Sequence, residues 1–174
     1  MLLLSAKIKD QSVLSLRTGG QVAIATAPII NPNNLKIVGF HCNDKFSGSD
    51  LVLLAQDIRE QISQGFVVND HEVLAEADDL VRLKQILEID YDLIGKVVVS
   101  DQHRKIGKVA DFAVDSESLY IQKIYVTPKL LKSLAGSSQI SIDRTQVIEV
   151  TDKEIVVKEA TEPATEPATA QLPA

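Results

Sequence analysis

The chain has 174 residues, a formal net charge of −6 and a single cysteine, Cys42. A lone thiol excludes an intramolecular disulfide and fits a reducing compartment, so a cytoplasmic protein is expected. The charge is uneven. Residues 1–88 hold 8 Lys/Arg against 11 Asp/Glu, residues 89–158 hold 10 of each, and residues 159–174 hold only 3 acidic groups. Acidic or neutral surfaces repel a phosphate backbone, which disfavours direct nucleic-acid binding. Met1-Leu2-Leu3-Leu4 stops at Ser5-Ala6-Lys7, and no apolar run reaches the roughly 18–20 residues of a spanning helix, so no membrane insertion is expected.

In chain order, Thr18-Gly19-Gly20 and Asn31-Pro32-Asn33-Asn34 read as turns. Leu35, Ile37, Gly39 and His41 alternate with Val38, Phe40 and Cys42 in a strand pattern. After Ser47-Gly48-Ser49, the spacing of Leu51, Leu54, Ile58 and Ile62 predicts one helical stripe, capped by Ser49 or Asp50. Ile86–Asp92 reads as a packed connector. Lys96–Val99 is a short β-branched run, and Asp115–Ser118 a turn. Thr127 as cap, Pro128 at the first position and Gly136 as stop predict a short Lys129–Ala135 helix. Gln139–Asp143 and Ile155–Val157 read as strands around a Thr151-Asp152-Lys153 turn. From Ala160 a Thr-Glu-Pro-Ala repeat offers nothing to bury, and its prolines remove helix hydrogen bonds, so disorder is expected.

Two stretches read as copies of one unit, residues 1–88 and 89–158, followed by the 159–174 tail. Aligning Phe66–Val73 with Ile140–Val147 puts Val68 on Ile142 and Val73 on Val147. After a one-residue slip Asp79-Leu80-Val81 meets Glu154-Ile155-Val156, and Gly20-Gln21-Val22 echoes Gly107-Lys108-Val109. Units this small bury a modest fraction of their surface, so the copies are expected to pack together.

Asp92-Leu93-Ile94-Gly95-Lys96-Val97-Val98-Val99-Ser100, followed by Lys105-Ile106-Gly107-Lys108-Val109 running into Asp111–Asp115, resembles the opening of a PRC-barrel domain. The likeness covers residues 92 to about 158. In the first copy Lys7-Ile8-Lys9-Asp10 stands where the Leu-Ile-Gly-Lys segment would be. The resemblance implies a mainly β protein of two tandem small β-barrels, each with one helix. It also implies an adaptor role, since such domains cap a membrane electron-transfer complex and form the ribosomal-protein-binding half of the ribosome-maturation factor RimM.

The chemistry-bearing residues are scattered. His41 and Cys42 are neighbours on a strand and point to opposite faces, so they cannot share a proton. One cysteine with His41, His71 and His103 does not supply a zinc ligand set, and no metal or cofactor is expected. Asp10, Asp78 and Asp79 read as turn carboxylates, and Gly19-Gly20 lacks the Gly-Lys-Ser/Thr ending of a phosphate loop. Arg104, Lys105, Lys108, Lys129 and Lys132 form the one basic concentration, and Tyr120 and Tyr125, with Tyr91, read either as packed strand residues or as candidate aromatic anchors for a partner. These seven, Tyr91 apart, are the candidate partner surface. The expected function is non-enzymatic protein binding or assembly. The alternatives are an RNA-associated factor in ribosome maturation, with a ribosomal component as partner, and a ligand-binding protein or enzyme using a cleft between the copies. Removal of residues 160–174 is expected to leave the thermal midpoint within a few degrees of the full chain, as checked by calorimetry.

Overall fold

A computed structural model describes residues 1–129 and 139–159. The protein is mainly β. Strand β1 (Leu2–Leu4) is followed by β2 (Gln11–Ser15), β3 (Gln21–Asn31), β4 (Lys36–Asp44), β5 (Asp50–Leu54), β6 (Ile58–Ile62) and β7 (Gly65–Val68). The one α-helix among the described residues, α1 (Lys84–Ile89), leads to β8 (Val97–Ser100), β9 (Lys105–Asp115), β10 (Ile121–Pro128), β11 (Ile140–Asp143), β12 (Val147–Val150) and β13 (Glu154–Val157).

These strands form two sheets with the same internal order. One runs β5-β4-β3-β2-β7-β6 and the other β11-β10-β9-β8-β13-β12, with β1 added to β9. In each, the only parallel pair among the described residues joins the opening strand to the last, β2 to β7 and β8 to β13. The sheets are open, not the closed barrels the resemblance implied, because β5 does not pair with β6, nor β11 with β12. They are nonetheless curled. A flat six-stranded sheet would separate its edges by about 24 Å, whereas the three residues Ala55–Asp57 that join β5 to β6 span at most about 15 Å.

The helix expected over Leu51–Ile62 is instead β5, a 3-10 corner and β6. Its 3-4-4 spacing was compatible with both, but Val52 and Leu53 are buried, and Leu51–Leu54 is a continuous apolar run of strand length. Thr127 and Pro128, expected as cap and first helical residue, are the last residues of β10. The rest of the expected Lys129–Ala135 helix, and the tail from Ala160, lie outside the described residues.

The repeat alignment also shifts. Val68 lies on β7, the counterpart of β13, so it answers to Val157, while Ile142 on β11 answers to Leu53. Gly107 pairs with Pro128 as Ala23 pairs with Asp44, so Gly20 is not its counterpart. Alternating strands match at many offsets, and only the pairing partners fix one. The Lys7–Asp10 correspondence has a structural basis. Ile8 and Leu93 are both fully buried, and Asp10 and Gly95 both have positive φ, 53° and 85°, at the turn before the first sheet strand.

The two halves meet at the tips of the β3–β4 and β9–β10 hairpins. Ile37 N–H donates to Leu119 O and Ile121 N–H donates to Leu35 O, both at 2.9 Å. Leu35 and Leu119 occupy equivalent turn positions, each donating its N–H four residues back, to Asn31 O and Asp115 O. Both have left-handed backbones, φ 54° and 57°, and both side chains are buried. The junction is a pseudo-two-fold. The segments leading into each half exchange across it: β1 pairs with the Ala113–Asp115 end of β9, and α1 packs on β3. In the connector, Tyr91 is buried and Ile86 and Leu87 are half-buried.

One continuous apolar cluster runs through both halves, from Ile8, Phe40 and Phe66 to Leu93, Phe112 and Ile155. The chain is therefore expected to unfold in a single calorimetric transition whose van't Hoff and calorimetric enthalpies agree. Leu119→Ala should lower that one midpoint, costing about 2–5 kcal/mol, without splitting it in two.

Candidate functional site

The basic residues singled out in the sequence come partly together. β9 and β10 are antiparallel, with Lys108 opposite Thr127 and Gly107 opposite Pro128. Gly107 permits this approach, since a Cβ there would overlap the Thr127 carbonyl. The result is a groove of about 380 Å³ floored by Val97, Gly107 and Pro128 and rimmed by the exposed Lys105, Lys108 and Lys129. Arg104 is turned to another use: its guanidinium donates to Glu159 at 2.6 Å and to Gln102 at 3.2 Å. Lys132 lies outside the described residues.

The tyrosines do not join this groove. Tyr120 sits at the junction, where Lys36 Nζ lies 5.1 Å and the Arg144 guanidinium 4.2 Å from its ring centroid. Tyr125 is half-buried on β10 between Asp111 and Ser141. Tyr91 is buried beneath Lys96 Nζ, 5.0 Å from the ring, and burial pushes its phenol up to about 12.

Cys42 is buried and His41 half-buried on the other side of β4. Burial pushes the Cys42 thiol up to about 12, which keeps it protonated and a poor nucleophile at neutral pH. His103 lies in the turn after β8 with φ 61°. Asp78 and Asp79 are exposed in a 3-10 turn, Ala77–Asp79. Among the described residues no three His, Cys, Asp or Glu side chains gather where a metal ion could be held. Nor is any helix among them long and apolar enough to cross a membrane.

The sequence reading missed one polar cluster. Asp44, buried at the end of β4, accepts from His71 Nε2 at 2.7 Å, and from the Ser47 hydroxyl and amide at 2.5 and 3.0 Å. The Ser47 hydroxyl, with His71 and backbone amides, holds this carboxyl far below the usual carboxylate range, against a burial that raises it. An ionised carboxylate only accepts, so the imidazole proton is fixed on Nε2. Next to it, Asp70 accepts from Arg17 at 2.7 Å, from the His71 amide at 2.7 Å and from the Ser15 hydroxyl at 3.4 Å. The Phe46 ring, 70% exposed, meets the His71 ring edge-on at 5.2 Å. No serine or cysteine nucleophile is bonded to this imidazole among the described residues, and the cluster clasps β4 to the segment after β7. Asp44 and His71 lie 27 residues apart, and no local motif marks them.

Two clefts flank the junction, related by its pseudo-two-fold. The larger, about 740 Å³, lies between β6, the segment through Lys7 and the 116–119 turn. The smaller, about 480 Å³, lies between β12 and the 32–35 turn. Gln61, on the wall of the larger, buries its Oε1 without a hydrogen-bond partner among the described residues.

No family model matches this chain, and no curated protein matches it significantly.

The lowered Asp44 pKa gives a signed prediction. Its contribution to stability is whole above the unfolded carboxylate value of about 4 and is lost as pH falls below it toward the folded-state pKa. The thermal midpoint should therefore drop on acidification below about pH 4. Asp44→Asn should lower the midpoint at neutral pH and flatten this acid limb, read from melts across a pH series.

Proposed function

We propose that the protein is a non-enzymatic adaptor built from two PRC-barrel-like units, and that its partner is a protein. The observation that carries this is the groove between β9 and β10, where three exposed lysines surround an apolar floor. An apolar floor with a cationic rim suits an acidic, partly apolar segment of another protein: burial supplies affinity and the rim steers the approach. The resemblance of Asp92–Ser100 and Lys105–Asp115 to the PRC-barrel opening supports the same reading, as does the equivalence of Asp10 and Gly95 at the preceding turn. The buried, protonated Cys42 and the clasped His71 support binding over catalysis.

The same lysines favour a second reading, an RNA-associated factor in ribosome maturation. The two differ in a measurable way. Nucleic-acid affinity falls steeply with salt through counterion release, and sequence-specific RNA sites use exposed aromatics for stacking, whereas neither Tyr120 nor Tyr125 lines this groove.

The test is affinity purification of the full chain and of Lys105→Glu/Lys108→Glu from native cells, with and without nuclease. A partner that survives nuclease and falls about tenfold in the variant, equivalent to about 1.4 kcal/mol, is the expected result. Recovery that nuclease abolishes would replace the adaptor reading with the RNA one. Because both lysines are exposed, the melt of the variant should match that of the natural chain.

A further inference from the structure

We infer that the larger junction cleft is a second binding site, which takes an extended peptide segment as an added strand on β6. The inference rests on the adaptor reading and gives it a second surface. The ligand is defined by what lines the cleft: a peptide with apolar side chains at alternate positions and both an acidic and a basic side chain.

Three observations carry this. First, the fold covers two of its other strand edges in this way. β1 pairs along the stretch of β9 beyond the reach of β8. Ala75 caps β5 through a reciprocal pair of hydrogen bonds with Val52, at 2.8 and 3.0 Å. β6 pairs only with β7 among the described residues, and Ile58 through Ile62, its whole length, line the cleft. Main-chain donors and acceptors on such an edge recruit an extended chain.

Second, the cleft holds charges with nothing to do. Lys7, Arg59, Glu60 and Glu117 line it, and none is in an ion pair among the described residues. Phe66 and Leu119 supply an apolar floor between them. Two charges of each sign disfavour a simple anion or cation and fit a segment of mixed charge.

Third, the pseudo-symmetric cleft is an internal comparison. Both edge strands carry a bulge, at Arg59 in β6 and at Ile148 in β12, so these two residues correspond. Arg59, one of the two side-chain cations of the larger cleft, is thus an isoleucine in the smaller. The cation the smaller cleft does have, Arg144, is already stacked on Tyr120 at 4.2 Å. The smaller cleft thus has its cation engaged within the fold, whereas Lys7 and Arg59 of the larger are in no ion pair among the described residues.

The experiment uses the full chain to select from a display library of random nine-residue peptides, then titrates the enriched peptides by fluorescence anisotropy. The expected winners alternate apolar residues and lose affinity about tenfold against Arg59→Glu. They also lose it when N-methylated on one alternate set of residues, but not on the other, because only one set of amides faces β6. Binding to Lys105→Glu/Lys108→Glu should be unchanged. No enrichment, or winners indifferent both to Arg59→Glu and to backbone methylation, would overturn the inference. So would a concentration-dependent dimer that Arg59→Glu dissociates, since a second copy would then hold the edge. Winners that appear only after residues 160–174 are removed would assign the cleft to the chain's own tail and overturn it too. The adaptor reading stands or falls separately, on the nuclease-resistant partner of the lysine groove.

Discussion

Two leucines with left-handed backbones join the two halves of the molecule. Leu35 and Leu119 each adopt a left-handed conformation that costs a branched residue on the order of 1–2 kcal/mol. Each is buried at the junction, at 3% and 8% exposure. Full burial of a leucine returns about 1.5–3 kcal/mol, and the flanking carbonyls are matched to the amides of Ile121 and Ile37. The strain is thus offset only when both hairpin tips are in place. Everything described around the junction depends on this reciprocity: the placing of β1 on β9, the stacking of Arg144 on Tyr120, and the two clefts whose walls are the turns these leucines close.

Repeated topology with unequal decoration is the second organising fact. The two sheets share strand order, the parallel closing pair and the bulge in the edge strand. Ser15 and Ser100 are both buried and use their hydroxyls alike, each accepting amides of the turn that follows. The polar chemistry lies where the copies differ. Asp44 pairs with Ala23 across the ladder where Pro128 pairs with Gly107, so the first half gains a carboxylate clasp and the second a lysine-rimmed groove. The shared positions are occupied by core packing and turn closure.

The sequence by itself determined the mainly β character and most of the turns. Alternation fixes which face of a strand is apolar whatever its neighbours, and Asn31–Asn34 or Asp115–Ser118 close turns through their own side chains. It also marked Lys105, Lys108 and Lys129 as one concentration, because β9 and β10 are consecutive in the chain. Only the tertiary structure decided the rest. The spacing of Leu51, Leu54, Ile58 and Ile62 suits a helix equally well until the continuous run Leu51–Leu54 finds β4 beside it. The offset between the copies is ambiguous until β7 is seen to pair with β2 in parallel. The Asp44–His71 clasp and the larger cleft draw on residues far apart in the chain, and their meeting is set by long-range strand pairing and by the pseudo-two-fold junction, neither of which leaves a local pattern.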